Sequence, residues 1–199
     1  TGLRPSAGGI QSQLGVVPDM AVFAKSLSNG FAMGAIVGQR AVMEAAHPMF
    51  ISSTYWSDTI GLRAALTTIN EVEKRGVPAQ LAEVGQRLVN SVREIAGEVG
   101  IAMTAGGIEF HPHFAFQEDD LLLKQQMTTL FIQEMAKRGC HMGMSFYMNA
   151  SHGPAEVEQT LAAMRETLGL IHEARESGTV EDQLECELKT DTFARRMVQ

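Results

Sequence analysis

The stretch Pro18-Asp19-Met20-Ala21-Val22-Phe23-Ala24-Lys25-Ser26-Leu27-Ser28-Asn29-Gly30 is the most informative part of this 199-residue chain. Its apolar run at 20–24 predicts a short strand, and the residues that follow predict a small loop ending in glycine. In an α/β sheet, a loop after the carboxyl end of a strand displays reactive side chains. Lys25 occupies that place, and its sequence context allows either a surface lysine or a nucleophile. Partial desolvation by its apolar neighbours would favour the neutral amine, which attacks carbonyl groups.

Apolar periodicity places further elements around this stretch. Residues 33–37 predict a second buried strand of the same sheet, because their hydrophobicity is continuous. A helix is predicted from Ser57 to Arg75, with Asp58 as its cap and with one apolar face formed by Leu62, Leu66, Ile69 and Val72. Beyond residue 77, helices and short strands alternate. The predicted helices lie around 81–95, 123–135 and 154–171, and the predicted strands at 101–103, 113–116 and 146–149.

Several short motifs follow one another in a characteristic order. They are Thr1-Gly2-Leu3-Arg4, Gly15-Val16-Val17-Pro18-Asp19, Phe23-Ala24-Lys25 with Asn29-Gly30, Gly34-Ala35-Ile36-Val37-Gly38 and Ser53-Thr54-Tyr55-Trp56. In order and spacing this set resembles the class III pyridoxal-phosphate-dependent aminotransferases, and most of all the branch that contains glutamate-1-semialdehyde aminomutase. The resemblance covers about residues 1–172.

The resemblance implies an α/β protein of the fold type I pyridoxal-phosphate-dependent transferases. Residues 1–76 would form the end of the large cofactor-binding domain, and residues 77–174 the small C-terminal α+β domain. Residues 175–199 have lost the apolar periodicity, and we expect them to form a polar tail that is mobile or depends on a partner.

The resemblance also implies a catalytic residue and a cofactor. The lysine matching Lys25 forms a Schiff base with pyridoxal 5′-phosphate in the family. The threonine matching Thr54 reaches the cofactor phosphate of a neighbouring subunit, which implies a homodimer with shared sites. From the residues alone, Ser53 and Thr54 are either phosphate ligands near a helix start or ordinary capping residues. The family continues this motif with Gly-Asn-Pro, whereas this chain has Ser57-Asp58-Thr59.

Three functions are compatible with these motifs. The first is an aminotransferase that moves an amino group between an amino donor and an oxo acid or aldehyde. The second is a 2,1-aminomutase of the glutamate-1-semialdehyde type. The third is a truncated, inactive relative that acts as a dimerisation or binding module. The third is considered because Thr1-Gly2-Leu3-Arg4 matches the end of a family motif whose aspartate would precede Thr1, so we expect a C-terminal half of a longer protein.

Composition argues against several other functions. The formal net charge is −7 and the basic residues are scattered, so no basic face for nucleic acid is expected. No apolar run approaches the roughly 20 residues of a membrane span. Cys140 and Cys186 show neither metal nor disulfide spacing, which fits a reducing cytoplasm. His111-Pro112-His113 resembles part of a metal site, but no cysteine or carboxylate stands at matching spacing, so we expect no metal.

Overall fold

The computed structural model describes residues 2–190 and divides into two compact units, one running to Ala82 and the other starting at Glu83. Thr1 of the first motif and residues 191–199 of the expected tail lie outside the described residues. The helices are α1 (Ile10–Leu14), α2 (Arg40–Glu44), α3 (Thr59–Lys74), α4 (Val77–Val99), α5 (Leu121–Lys137) and α6 (Pro154–Ser177). The strands are β1 (Met20–Phe23), β2 (Ala35–Gly38), β3 (Met103–Ile108) and β4 (His111–Phe116). The domain boundary expected at 76/77 stays a prediction.

The two strands of the first unit pair antiparallel, with Met20 opposite Gly38 and Phe23 opposite Ala35. The prediction of two strands in one sheet is confirmed, but the prediction that the second strand is buried is wrong. Val22 is 70% exposed and Ile36 is 56% exposed. Within residues 2–190 this sheet has only two strands, and so narrow a ribbon cannot cover both of its own faces.

Helix α3 packs on the first unit through its smallest residues. Gly61 and Ala65 are buried, whereas Leu62 and Leu66 of the predicted apolar face are half exposed. Ile69 of that face does pack against the core. A Cβ atom on Gly61 would lie only 2.7 Å from the backbone oxygen of Ala32, so glycine lets the helix come this close. The close approach rotates the two leucines outward. The small core that results contains Leu3, Leu27 and Ala65, with Phe23, Met33, Ala35 and Ile69 packed against it.

The second unit has a larger core between the β3–β4 hairpin and helices α5 and α6. Thr167 is the one polar residue among its most deeply buried side chains within residues 2–190, and the others are apolar: Val92, Phe116, Met127, Leu130, Phe131, Met135, Met148, Met164, Leu168, Ile171 and Val180. The predicted helix after Gly153 is confirmed, with Pro154 in its first turn and Gly178 as a left-handed C-terminal cap. The last predicted strand is displaced towards the N-terminus. Its pairing with β4 is a single bridge between His113 and Ser145, flanked by backbone hydrogen bonds.

Residues 181–189, called here the C-terminal strap, lie against α5, which differs from the expected mobile tail. Side chains one helical turn apart on α5 form hydrogen bonds with the strap backbone. At Lys189, Gln125 Nε2 donates to the carbonyl oxygen (2.8 Å) and Thr129 Oγ1 accepts from the N–H (3.0 Å). One turn further along, Gln133 Nε2 donates to Gln183 O (3.0 Å) and Gln133 Oε1 accepts from Glu185 N (2.7 Å). Lys137 adds an ion pair with Glu185 at 2.6 Å. The residues from 175 to the strap therefore continue the fold of the second unit.

None of the helices within residues 2–190, including the long α4 and α6, combines the length and apolar character that a membrane-spanning helix requires.

Candidate active site

Lys25 lies where β1 ends and the chain turns. Ala24 continues the extended backbone, and a short 3-10 turn then runs from Lys25 to Leu27. The N–H of Leu27 donates to the carbonyl oxygen of Ala24 at 3.2 Å and closes the turn. Lys25 itself is exposed, so its amine is open to a reactant. The partial desolvation expected from the apolar neighbours is therefore not seen in this unit.

Buried residues on the C-terminal side hold the lysine turn in place. Leu27 is 5% exposed and packs with Leu3 and Ala65, and Ser28 is fully buried. The hydroxyl of Ser28 donates to the carbonyl oxygen of Phe31 at 2.5 Å, which closes the loop that follows. The lysine side chain thus projects from a loop whose backbone is anchored in the core.

The backbone of the lysine turn is strained. Lys25 has φ 56° and Asn29 has φ 48°, and both values lie in the left-handed region that glycine prefers. A side chain in this region costs about 1–2 kcal/mol. Such strain persists only where the surroundings fix it, and it is concentrated at functional sites. The conformation therefore supports a functional role for Lys25 beyond that of a surface lysine.

The structure brings the first sequence motif next to the lysine loop. A Cβ atom on Gly2 would lie 3.0 Å from the hydroxyl oxygen of Ser26, and Gly2 has φ 58°. Leu3 shares its core contacts with Leu27. Two motifs more than 20 residues apart in sequence thus form one substructure around Lys25.

Ser53 and Thr54 lie in the turns that precede α3. The N–H of Trp56 donates to the carbonyl oxygen of Ser53 at 3.2 Å. Both residues are exposed, and their hydroxyls make no hydrogen bond to another residue within 2–190. Helix α3 is capped instead by Asp58, whose carboxylate accepts the N–H of Ile60 at 2.9 Å. The capping interpretation of Ser53 and Thr54 therefore has no support, and both hydroxyls are available to an anion.

Asp58 also sets the electrostatics of this end of α3. Its carboxylate already satisfies a backbone donor at the helix N-terminus, and its negative charge lies where the helix dipole would favour an anion. An anion near Ser53 and Thr54 would therefore bind to the turn before α3 and not to the first turn of the helix. The described residues show no contact between Lys25 and either Ser53 or Thr54.

A cleft of about 640 Å³ lies beside the lysine loop. Asn29 and Phe31 line it from the loop, and Thr59, Arg63 and Thr67 line it from α3. Arg63 received no role from the sequence, because a single arginine on a helix carries no local signal. The first unit thus offers an exposed primary amine, an unbonded hydroxyl pair and a cationic cleft. Chemically, the amine can bond to a carbonyl carbon and the hydroxyls can bind an anion.

Comparison with known families agrees with this arrangement. Residues 9–106 match the family described as aminotransferase class III. The resemblance to the class III aminotransferases is thereby confirmed over residues 9–106. The matched range includes Lys25, Ser53 and Thr54.

Curated relatives of two activities are similar to the chain. It is 29% identical over 174 residues to a 3-aminobutyryl-CoA aminotransferase of Cloacimonas acidaminovorans, covering 86% of this chain and 42% of that protein. It is 28% identical over 191 residues to a glutamate-1-semialdehyde 2,1-aminomutase of Ignicoccus hospitalis, covering 86% of this chain and 44% of that protein. The chain therefore spans less than half the length of these relatives.

Solved structures show the same fold. An omega-transaminase from Sphaerobacter thermophilus is 25% identical, with a TM-score of 0.74 over 83% of this chain and 42% of that one. The FumI protein of Sphingopyxis sp. MTA144, determined as its PLP internal aldimine form, has a TM-score of 0.81 at 20% identity, over 88% of this chain and 42% of that one. The predicted fold class is confirmed: the chain has the fold of the type I pyridoxal-phosphate-dependent transferases.

Proposed function

We propose that this chain is the lysine-bearing part of a pyridoxal-phosphate-dependent aminotransferase, which moves an amino group between an amino donor and an oxo acid or aldehyde. The observation that carries the proposal is the position of Lys25. Its exposed side chain follows β1, on a strained backbone that Leu27 and Ser28 anchor in the core. The class III segment at 9–106 supports the same assignment.

Lys25 would have two tasks. Its Nζ atom would hold the cofactor through the cofactor's carbonyl carbon while no substrate is bound. With substrate bound, the same amine would take a proton from the substrate α-carbon and deliver it to the C4′ position of the cofactor. The bound cofactor supplies the electron sink for this proton transfer. An exposed lysine on a fixed backbone suits both tasks, because the side chain can move while its Cα stays in place.

Ser53 and Thr54 would bind the cofactor phosphate, and in the proposed homodimer they would do so in the partner's site. Two observations support this role. Their hydroxyls have no hydrogen-bonding partner within the described residues, and an apolar surface surrounds their turn. Phe50 is 96% exposed, and Tyr55 and Trp56 are about two thirds exposed. Exposed apolar surface of this kind marks an interface.

An aminomutase is the second candidate, and relatives named for that activity favour it. Both candidates use Lys25 in the same way. They differ in whether a second oxo substrate is needed for continued turnover. Steady-state turnover of one amino compound without any added oxo acceptor would favour the aminomutase, and a strict requirement for an acceptor would favour the aminotransferase.

The central test uses the full-length protein that contains this chain. After incubation with pyridoxal phosphate, we expect a visible absorbance band that borohydride abolishes, and a reduced cofactor fixed to the peptide that carries Lys25. Lys25→Ala should remove the fixed cofactor, whereas Lys74→Ala, which changes another exposed lysine, should not. Labelling of a different lysine, or none, would overturn the enzyme assignment and favour the inactive binding module.

Sharing of sites between subunits has its own test. One variant carries Lys25→Ala, and the other carries Ser53→Ala with Thr54→Val. If each site takes Lys25 from one subunit and Ser53 and Thr54 from the other, a mixed dimer has one site with both substitutions. Its other site has all the native groups. Mixing the two impaired variants under subunit exchange should therefore restore part of the activity. If the site uses groups from a single subunit only, the mixture stays as impaired as its components.

We also propose a cytoplasmic location, because neither Cys140 nor Cys186 forms a disulfide. Fractionation of cells that express the full-length protein tests it.

A further inference from the structure

Two histidines stand side by side on the exposed face of the hairpin in the second unit. His111 and His113 are two residues apart on β4, so their side chains leave the strand on the same face, whereas Pro112 and Phe114 between and after them are buried. The centroids of the two imidazole rings are 4.2 Å apart, with an angle of 63° between the planes. This arrangement presents two imidazoles together on one surface.

A backbone carbonyl fixes the tautomer of His111. Its Nδ1 atom lies 2.9 Å from the carbonyl oxygen of Phe146. A carbonyl oxygen can only accept, so Nδ1 carries the hydrogen and the neutral ring keeps its lone pair on Nε2. Metal-binding histidines are held in the same way, with one ring nitrogen donating to a backbone carbonyl and the other coordinating the ion. The ring of Tyr147, 4.1 Å from that of His111, packs against the imidazole and restricts its rotation.

The ring separation suits a shared metal ion. A metal-to-nitrogen bond of about 2.0–2.1 Å places the ring centroid about 3.2 Å from the ion. Two neighbouring ligands of a square-planar or tetragonal copper or nickel ion then have centroids about 4.5 Å apart, and two ligands of tetrahedral zinc about 5.2 Å apart. The observed 4.2 Å differs from the first value by an amount that a small ring rotation removes. We propose that His111 and His113 bind one divalent transition-metal ion of the nickel, copper and zinc class.

The composition of the site sets its selectivity. Among residues 2–190 no group of three or more histidine, cysteine or acidic side chains can hold a metal, so the protein supplies two imidazoles and water completes the coordination. Imidazole ligands suit nickel, copper and zinc, and they disfavour magnesium and calcium. The affinity should follow the general order of these metals, with copper the strongest.

The test titrates the full-length protein with Ni²⁺ in a non-coordinating buffer, followed by calorimetry. We expect one Ni²⁺ site, and both His111→Ala and His113→Ala should lower its affinity at least about tenfold. Removing only an outer partner of a metal ligand already lowers metal affinity by about tenfold or more, and these variants remove a ligand itself. His47→Ala removes an exposed histidine elsewhere and should leave the affinity unchanged. Equal effects of all three variants, or no saturable site, would overturn the proposal.

A spectroscopic readout guards against variants that merely unfold. With Cu²⁺ bound to the unmodified protein, electron paramagnetic resonance should show two equivalent nitrogen ligands, and His113→Gln should leave one. Mg²⁺ in excess should not displace the Cu²⁺. A spectrum with one nitrogen in the unmodified protein would contradict joint binding by His111 and His113.

Discussion

Gln133 Oε1 accepts a hydrogen bond from the backbone N–H of Glu185 at 2.7 Å and so joins α5 to the C-terminal strap. The same side chain donates through Nε2 to the carbonyl oxygen of Gln183 at 3.0 Å. One carboxamide thus satisfies a donor and an acceptor of an extended segment, as a neighbouring strand would. Few large apolar side chains belong to the strap, so polar contacts carry much of its attachment.

Gln133→Ala should therefore release the strap without unfolding the second unit. The substitution also removes the hydrogen bond from Gln133 Nε2 to Glu134 Oε1. Each of the three lost hydrogen bonds removes about 1 kcal/mol, so we expect the unfolding free energy to fall by about 2–3 kcal/mol. Hydrogen exchange at the Glu185 amide should accelerate while the core of α6 stays protected. Gln159→Ala, at an exposed glutamine, is the matched control and should change neither quantity. If Gln133→Ala left the exchange rate of the Glu185 amide unchanged, Gln133 would not be what attaches the strap to α5.

Glu134, next to Gln133 on α5, is a buried carboxylate with a strongly perturbed pKa. Burial raises the pKa, but hydrogen bonds from Lys137, Arg138 and Gln133 outweigh burial and lower it to about 2. Because the folded-state pKa lies below the ordinary 4.5, the ionised group stabilises the fold above about pH 4.5, and this contribution is lost as the pH falls towards 2.

Glu134→Gln should destabilise the second unit by about 3 kcal/mol at pH 7, since each pKa unit corresponds to about 1.4 kcal/mol. The difference from the unsubstituted protein should shrink as the pH falls from about 4.5 towards 2. Denaturant unfolding at a series of pH values measures it. Glu94→Gln, at an exposed carboxylate, should show no such pH-dependent difference. A constant difference between pH 7 and pH 3 would show that the pKa of Glu134 is not lowered.

Gly61→Ala tests the close approach of α3 to the loop before β2. Alanine favours a helix over glycine by about 1 kcal/mol, but its Cβ would lie 2.7 Å from the Ala32 oxygen. The backbone must then shift, and we expect a net loss of about 1–2 kcal/mol. Gly97→Ala in α4, where no atom lies within 4 Å of the added Cβ, should instead raise stability by up to about 1 kcal/mol. Thermal unfolding of the two variants measures whether each change raises or lowers stability. Equal stabilisation by both variants would refute the close packing of α3.

Features that depend on neighbouring residues could be predicted from the sequence, whereas features that depend on contacts between distant residues could not. Local patterns predicted most helices, because apolar spacing and caps such as Asp58 and Gly178 act over a few residues. The apolar face of α3 was predicted only in part: Ile69 packs against the core, but Leu62 and Leu66 are half exposed, and Gly61 and Ala65 are buried instead. The short distance between α3 and the loop before β2 decides which side of the helix faces the core, and apolar periodicity carries no information on that distance.

The strap and the imidazole pair needed tertiary information. Gln125, Thr129 and Gln133, spaced by four on α5, look like a solvated face, and only the returning chain gives them partners. His111 and His113 were weighed as a metal fragment and set aside because no third ligand follows in sequence. The carbonyl that fixes His111 belongs to Phe146, which is 35 residues away. Lys25 was identified from motif order, but its left-handed backbone was visible only in the structure.

Asp58 offers a last prediction that separates helix capping from anion binding. Its carboxylate caps α3, and its negative charge follows Ser53 and Thr54, the proposed phosphate ligands, in the same turn region of the chain. Asp58→Asn keeps a capping oxygen and removes the charge, so α3 should stay intact while the affinity for pyridoxal phosphate rises about two- to fivefold, from about 0.3–1 kcal/mol of relieved repulsion. Asp58→Ala also removes the charge, but should lower stability by about 1 kcal/mol.

Binding titrations of the full-length protein with pyridoxal phosphate and with pyridoxal measure this effect. Pyridoxal lacks the phosphate, so its affinity should be the same in the unsubstituted protein and in Asp58→Asn. An equal gain in affinity for both compounds would show that Asp58 acts on binding of the pyridoxal ring or on Lys25, and not on binding of the phosphate. A gain confined to pyridoxal phosphate is expected if the turn before α3 binds the phosphate, because only then does the charge of Asp58 act on that group.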